Sequence, residues 1–154
     1  MESIETRLES LGIRIPTTPK ALGSYVPAVR TGNLVYIAGQ LPIHEGQLIH
    51  KGKVGRDLDV EKAQEAAGLC FVNALAALSY AGVSPDKVTR VIRLGGFVNC
   101  PDGFTDQSKV VNGASDLCVA IFGEAGRHSR AAVGVNALPM DAPVEIEVLF
   151  EVAD

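Results

Sequence analysis

No tryptophan occurs in this chain, and aromatic residues supply only 5% of it. A base-stacking surface needs successive aromatic faces, so single-stranded nucleic-acid binding is disfavoured. Positive charge is scarce as well. The formal net charge is −4, and residues 131–154 hold five acids and no Lys or Arg. A phosphate-backbone binder draws its affinity from counterions released by a basic face, and the sequence shows none. Cysteine is limited to Cys70, Cys100 and Cys118. An odd number without CxxC spacing offers no disulfide framework, which fits a reducing, cytoplasmic compartment. Cys70 and Cys118 fall on helix core positions, and Cys100, in "NCPDG", is the thiol expected to be exposed.

Long apolar runs are also missing. The longest, "AAGLCFVNALAALSYAG" (66–82), is interrupted by Asn73, Ser79 and glycines and is too mixed for a membrane span. The N-terminal "MESIETRLES" is acidic and amphipathic, so no secretory signal is expected. "GKVG" (52–55) lacks the spacing and terminal Ser/Thr of a Walker loop. His44 and His50 flank a turn without a complete ligand set, so no metal is expected. There is no internal repeat or low-complexity segment. With 154 residues, 47% of them hydrophobic, the chain is expected to form one domain over 1–154.

What is present is clear periodicity. Ile4, Leu8 and Leu11 predict a short helix within 2–12, an N-terminal extension ended by Gly12. "TTPKALGSYVP" (17–27) reads as an extended loop. "AVRTGNLVYIAG" (28–39) reads as two strands around Gly32-Asn33, residues suited to positive φ, and "HEGQ" (44–47) marks a second hairpin. A long helix follows, capped by Asp59, with a stripe of Ala63, Ala67, Cys70, Phe71, Ala74, Leu75 and Leu78, and closed by Gly82 and Pro85. "VTRVIRLGGFV" (88–98) is a strand. Thr105 to Phe122 is a second long helix with Val110, Ala114, Leu117, Cys118 and Ile121 inward, ended by Gly123. "RAAVGVNAL" and "VEIEVLFEVA" are the last strands. Two long helices on one face of a mixed β-sheet make an α+β sandwich.

The sheet's other face then carries the information. Alternation gives Val144, Ile146, Val148, Phe150 and Val152 one apolar face, and Glu145, Glu147, Leu149 and Glu151 the opposite one. In "GRHSRAAVGV" (126–135), Arg127, His128 and Arg130 crowd the entrance of a strand of small residues. Arg130, Ala132, Gly134 and Asn136 share a face, which the pattern places on the second side of the sheet. That side reads either as a solvated face, with Arg130 paired to Glu147 or Glu151, or as room for a ligand or another subunit's sheet.

Two segments carry a family resemblance. "YVPAVRTGNLVYIAGQLP" (25–42) resembles a "Y-x-x-A-x-x-x-G-x-x-x-Y-x-S-G-Q-x-P" signature. "RAAVGVNALP" (130–139) followed by "VEIE" (144–147) resembles a C-terminal one. The family is the YjgF-like reactive intermediate deaminase (RidA) superfamily, also labelled L-PSP endoribonuclease, with a chorismate-mutase-like fold. "VVNGASDLCVAIFGEAGRHSRAAVGV" (110–135) is similar to a subgroup distinct from the best-known deaminases. The resemblance implies a homotrimer with ligand clefts between subunits, and a small carboxylate-bearing metabolite as partner. Arg130 matches a carboxylate-binding arginine, whose planar fork suits a carboxylate. Glu145 matches a glutamate that orients water, Tyr25 a cleft tyrosine, Asn112 a cleft asparagine, and Gly39-Gln40 a backbone wall.

The implied reaction is hydrolysis of a 2-imino acid or its enamine to a 2-keto acid and ammonia, with no organic cofactor or metal. Ala38 stands where the deaminases often have Ser, Ala132 where they often have Cys, and the "FGEAGRHSR" approach differs from theirs. These changes make the pocket more apolar and bring His128 near it as an accessory titratable group. A non-catalytic small-acid binding trimer is the second reading, and endoribonuclease the third. If the last two strands formed a simple hairpin, Arg130 would lie roughly 17 Å along from Glu145's partner. One cleft would then need Glu145 from a neighbouring subunit, or a different strand pairing.

Overall fold

The computed structural model describes residues 2–18 and 23–154, so part of the loop expected over 17–27 lies outside the described residues. After α1 (Ile4–Ser10), strands β1 (Ala28–Thr31) and β2 (Leu34–Gln40) form the first hairpin. Of its two turn residues only Gly32 takes a positive φ, 58°. The second hairpin joins β3 (Ile43–His44) to β4 (Gln47–Leu48), with Glu45 and Gly46 both at positive φ. Helix α2 (Val60–Ala77) starts where the Asp59 carboxylate accepts from the Lys62 amide at 2.9 Å, and Gly82 in the left-handed region ends its short 3₁₀ continuation. Strand β5 (Val88–Asn99), helix α3 (Gln107–Phe122) and strands β6 (Ser129–Val135) and β7 (Val144–Val152) complete the order. The result is the expected mixed sheet with two long helices, an α+β fold.

The five-stranded sheet runs β1-β2-β7-β5-β6; only β5 and β6 are parallel. The last two strands are therefore not a hairpin. β7 lies between β2 and β5, and β6 is an edge. Burial explains the choice. β7 offers five buried side chains on alternate positions, and a central strand beneath the helices uses all of them. The small residues of β6 have little apolar surface to bury and lose less at the edge. The connection is held by Asn99, fully buried at the end of β5, which donates to Asp141 Oδ1 at 3.2 Å and to the Ala142 carbonyl at 3.1 Å. Lys53 Nζ donates to Asn99 Oδ1 at 2.8 Å and also to the Asn136 carbonyl.

The core fills the space between helices and sheet. Phe150 packs against Phe71 and Phe122, with ring centroids 6.1 and 6.5 Å away. The α2 stripe is buried as expected, together with Ala66, Val72, Asn73, Ala76 and Ala77, because α3 covers α2 beside the sheet. That approach depends on Gly113, where a Cβ would meet the Gln64 carbonyl oxygen at 2.1 Å.

Cys70, Cys100 and Cys118 are all buried. For Cys100 this overturns the expected exposure: its sulfur accepts from Gln107 Nε2 at 3.8 Å and sits over Gly134. Burial pushes the Cys70 and Cys118 thiols up, away from thiolate chemistry.

Candidate functional site

The parallel register decides where Arg130 points. Arg130, Ala132 and Gly134 lie opposite Leu94, Gly96 and Val98 of β5, which in turn lie opposite Val148, Ile146 and Val144 of β7. These are the residues of the helix-covered face. Arg130 therefore faces α3, not the second face on which strand alternation alone had placed it. Alternation groups these residues on one side of β6, but only the pairing with β5 says which side that is. A pairing of Arg130 with Glu147 or Glu151 is excluded as well, since Glu147 approaches Arg93 at 4.0 Å and Glu151 accepts from Thr89 at 2.9 Å on the opposite side.

Under α3 the guanidinium is held by one stripe of the helix. Nη1 donates to Asn112 Oδ1 at 2.8 Å and to Ser115 Oγ at 3.0 Å, and Nη2 donates to the Ser108 carbonyl at 3.2 Å. Ser108, Asn112 and Ser115 are spaced i, i+4, i+7, so a polar line runs beside the apolar stripe. A guanidinium has five N–H donors. Three are used, which leaves Nε–H and one Nη2–H without a protein partner among the described residues. Arg130 is half-buried, and among the described residues no carboxylate is salt-bridged to it. This is a cation oriented by neutral oxygens, with donors in reserve.

His128 extends the cluster. Its Nε2 lies 2.9 Å from Ser115 Oγ and its Nδ1 lies 2.6 Å from the Gly126 carbonyl. Arg127, by contrast, turns outward to Glu124 at 3.0 Å. Ala132 packs on the core beyond Arg130, and a Cβ at Gly134 would meet Cys100 Sγ at 2.8 Å and Gln107 Nε2 at 2.9 Å. The small residues thus make their room on the α3 side of β6.

Glu145 belongs to the other face. It lies opposite Phe97 on β5, which lies opposite Val133 on β6. On its β2 side is Gly39, where a Cβ would come within 2.8 Å of Glu145 Oε1. Burial, with the neighbouring Glu147 charge second, holds the Glu145 carboxyl above its ordinary range. A carboxyl raised this way holds a proton more readily than an exposed one, which favours a role in proton transfer. The shift also has a sign for stability. Ionisation costs more in the folded chain than in the unfolded one, so this contribution is unfavourable above the folded pKa and vanishes below the ordinary carboxylate range. Glu145→Gln is therefore expected to raise thermal stability at neutral pH by up to about 1 kcal/mol after solvent screening. The gain should shrink as pH falls through the carboxylate range, read from melting temperatures of both proteins across pH.

Tyr25 is 52% exposed and precedes β1, at the edge opposite β6. Four strand spacings separate the two edges, roughly 19 Å. Within one chain, then, Arg130, Asn112 and His128 form one cluster, Glu145 and Gly39 form a second on the opposite face, and Tyr25 stands at the far edge. Ser108 and Ser115 were missed by motif reading, although their i, i+7 spacing around Asn112 was visible in the helix. A cavity of about 630 Å³ bounded by Arg14, Thr18, His44, Leu69 and Asn73 touches none of these residues. Among the described residues no group of three or more His, Cys, Asp or Glu gathers as a metal set, and no helix is long and apolar enough to cross a membrane.

A known family matches the chain over nearly its whole length. The model described as "YjgF/chorismate_mutase-like, putative endoribonuclease" covers residues 5–152. The chain belongs to this YjgF/chorismate-mutase-like family. The structure of Atu1372 from Agrobacterium tumefaciens, a protein of unknown function, is 46% identical with a TM-score of 0.90, covering 98% of this chain and 94% of that one. Protein TCP17 of Trypanosoma cruzi is 40% identical over 149 residues, covering 96% of this chain and 93% of the relative. A relative named 2-iminobutanoate/2-iminopropanoate deaminase, from Dermatophagoides farinae, is 29% identical over 135 residues, covering 88% of this chain and 91% of the relative.

Proposed function

We propose that this YjgF-family chain is a cytoplasmic imine/enamine deaminase that acts as a homotrimer, hydrolysing 2-imino acids in clefts between subunits. The observation that carries the reading is the pair of Arg130 donors left over after α3 has fixed the guanidinium, a fork that fits a substrate carboxylate. Glu145 supplies the second function. Water, positioned by its carboxylate, attacks the protonated C=N carbon as Glu145 takes the water proton. That proton passes to nitrogen; the C–N bond then breaks and ammonia leaves while Glu145 takes the remaining hydroxyl proton, so the carbonyl forms and the proton is handed on to ammonia as ammonium.

Arg130 and Glu145 point to opposite faces of one sheet, so a shared cleft takes them from different copies. Tyr25, at the far edge, joins the cleft on the same terms. Exposed Val29, Tyr36 and Val133 on the second face support self-association, because apolar side chains gathered on one sheet face gain from mutual burial. The test generates 2-imino acids in situ with an amino-acid oxidase and follows ammonia and keto-acid release, with sedimentation equilibrium for assembly. Acceleration is expected, and mixing Arg130→Ala with Glu145→Ala subunits should restore part of it. A monomer, or no acceleration across several side chains, would overturn the reading.

A second reading keeps the clamp without turnover. Ala38 and Ala132 supply methyl groups where deaminases of this family often have Ser and Cys, which suits a small-carboxylate binding trimer. Tight keto-acid binding with no imine hydrolysis would decide for it.

A further inference from the structure

The free donors on Arg130 recognise a carboxylate only while the guanidinium plane stays fixed, because two parallel hydrogen bonds to one carboxylate require coplanarity. What fixes it is a chain of polar groups running back into the backbone. Its far end is the Gly126 carbonyl, in a turn packed so closely on α3 that a Cβ at Gly126 would meet the Cys118 carbonyl oxygen at 2.3 Å. A carbonyl only accepts, so His128 Nδ1, 2.6 Å from it, carries the hydrogen. In the neutral ring Nε2 is then an acceptor, and the Ser115 hydroxyl, 2.9 Å away, donates to it. With its only proton committed, Ser115 Oγ presents lone pairs to Arg130 Nη1 at 3.0 Å. Each bond sets the direction of the next.

Resting on the reading of Arg130 as a carboxylate clamp, we infer that His128 and Ser115 are positioning residues for it. The ring keeps the serine hydroxyl an acceptor toward Nη1, and so holds the guanidinium plane and with it the direction of its unused donors. His128 is neither a solvated loop residue nor an acid or base of the reaction. Without the ring acceptor the hydroxyl loses its fixed direction, Nη1 loses an oriented partner, and the guanidinium swings while keeping its charge.

Loss of orientation without loss of charge has a distinctive signature. A planar carboxylate reads the angle of the fork, whereas a monoatomic anion reads only charge. The probes are 2-oxobutanoate and bromide, titrated into the full chain and followed by calorimetry and by competition. Ser115→Ala and His128→Phe, which keeps the ring shape without the nitrogens, should each weaken 2-oxobutanoate by about tenfold, the scale of one charge-assisted hydrogen bond. Bromide should change by less than about twofold, since exposed charge interactions are weakly angle-dependent. His128→Gln, whose amide oxygen can occupy the Nε2 position, should restore most of the carboxylate affinity. Wild-type 2-oxobutanoate binding in Ser115→Ala and His128→Phe, or equal loss of both anions, would overturn the positioning role. Undiminished 2-oxobutanoate binding by Arg130→Ala would instead remove the clamp reading beneath it.

Discussion

Replacing Arg130 by alanine is expected to lower kcat/KM for 2-imino acids by about 10²–10³-fold, the cost of deleting one desolvated, hydrogen-bonded charge partner. The fold should survive the change. Asn112 and Ser115 are half-buried, so water can replace the guanidinium at their oxygens, and the stability loss should stay near 1 kcal/mol. Arg130→Lys separates charge from geometry. An ammonium keeps the cation but cannot reach Asn112, Ser115 and Ser108 together while offering two parallel donors outward. It should therefore recover only part of the loss, leaving a deficit of about tenfold or more. Steady-state kinetics with in-situ imine generation, alongside melting temperatures, checks both variants. Full activity in Arg130→Ala would sink the clamp.

How far the sequence led depends on the kind of contact in question. Helices α2 and α3 were legible because a 3.6-residue stripe and end signals such as Asp59 and Gly82 are local. The face assignment of β7 was legible because Val144 to Val152 alternate without exception. The partner of β6 was not, because pairing across a sheet is non-local and "RAAVGV" fits either a parallel or an antiparallel neighbour. Alternation alone does not say which side of β6 meets the helices, and the small residues beside Arg130 read as room on the uncovered face. Cys100 was misjudged for a related reason: a "NCPDG" turn reads as surface, and nothing local says that Gly134 and Gln107 close over the thiol. Ser115 escaped notice because its spacing from Ser108 and Asn112 gains meaning only once Arg130 is placed under α3. The resemblance named Arg130, Glu145, Asn112, Gly39 and Tyr25, but it could not say that they fall into separate clusters within one chain.

Gly113→Ala is expected to be the most destabilising single methyl that can be added to α3. The new Cβ would lie 2.1 Å from the Gln64 carbonyl oxygen and 2.7 Å from two further backbone atoms of α2. Backbone cannot rotate away as a side-chain tip can, so the two helices must separate along their shared contact. Overpacking of this kind costs about 3 kcal/mol. For a chain of this size that lowers the melting temperature by roughly 6–12 °C. Local propensity works the other way: on an isolated helix alanine would gain up to about 1 kcal/mol over glycine, so the sign of the measured change reports the interhelical contact. The effect should also reach the site. Gly113 sits between Asn112 and Ser115, and a shift of α3 away from α2 carries both oxygens relative to Arg130, which is anchored on β6. Carboxylate affinity should fall together with stability in Gly113→Ala. In Gly68→Ala, where an added Cβ meets nothing closer than 3.5 Å, affinity should stay near wild type. Thermal denaturation and keto-acid titration of the two variants side by side check the pair. Equal melting temperatures would show that α2 and α3 are free to adjust their separation.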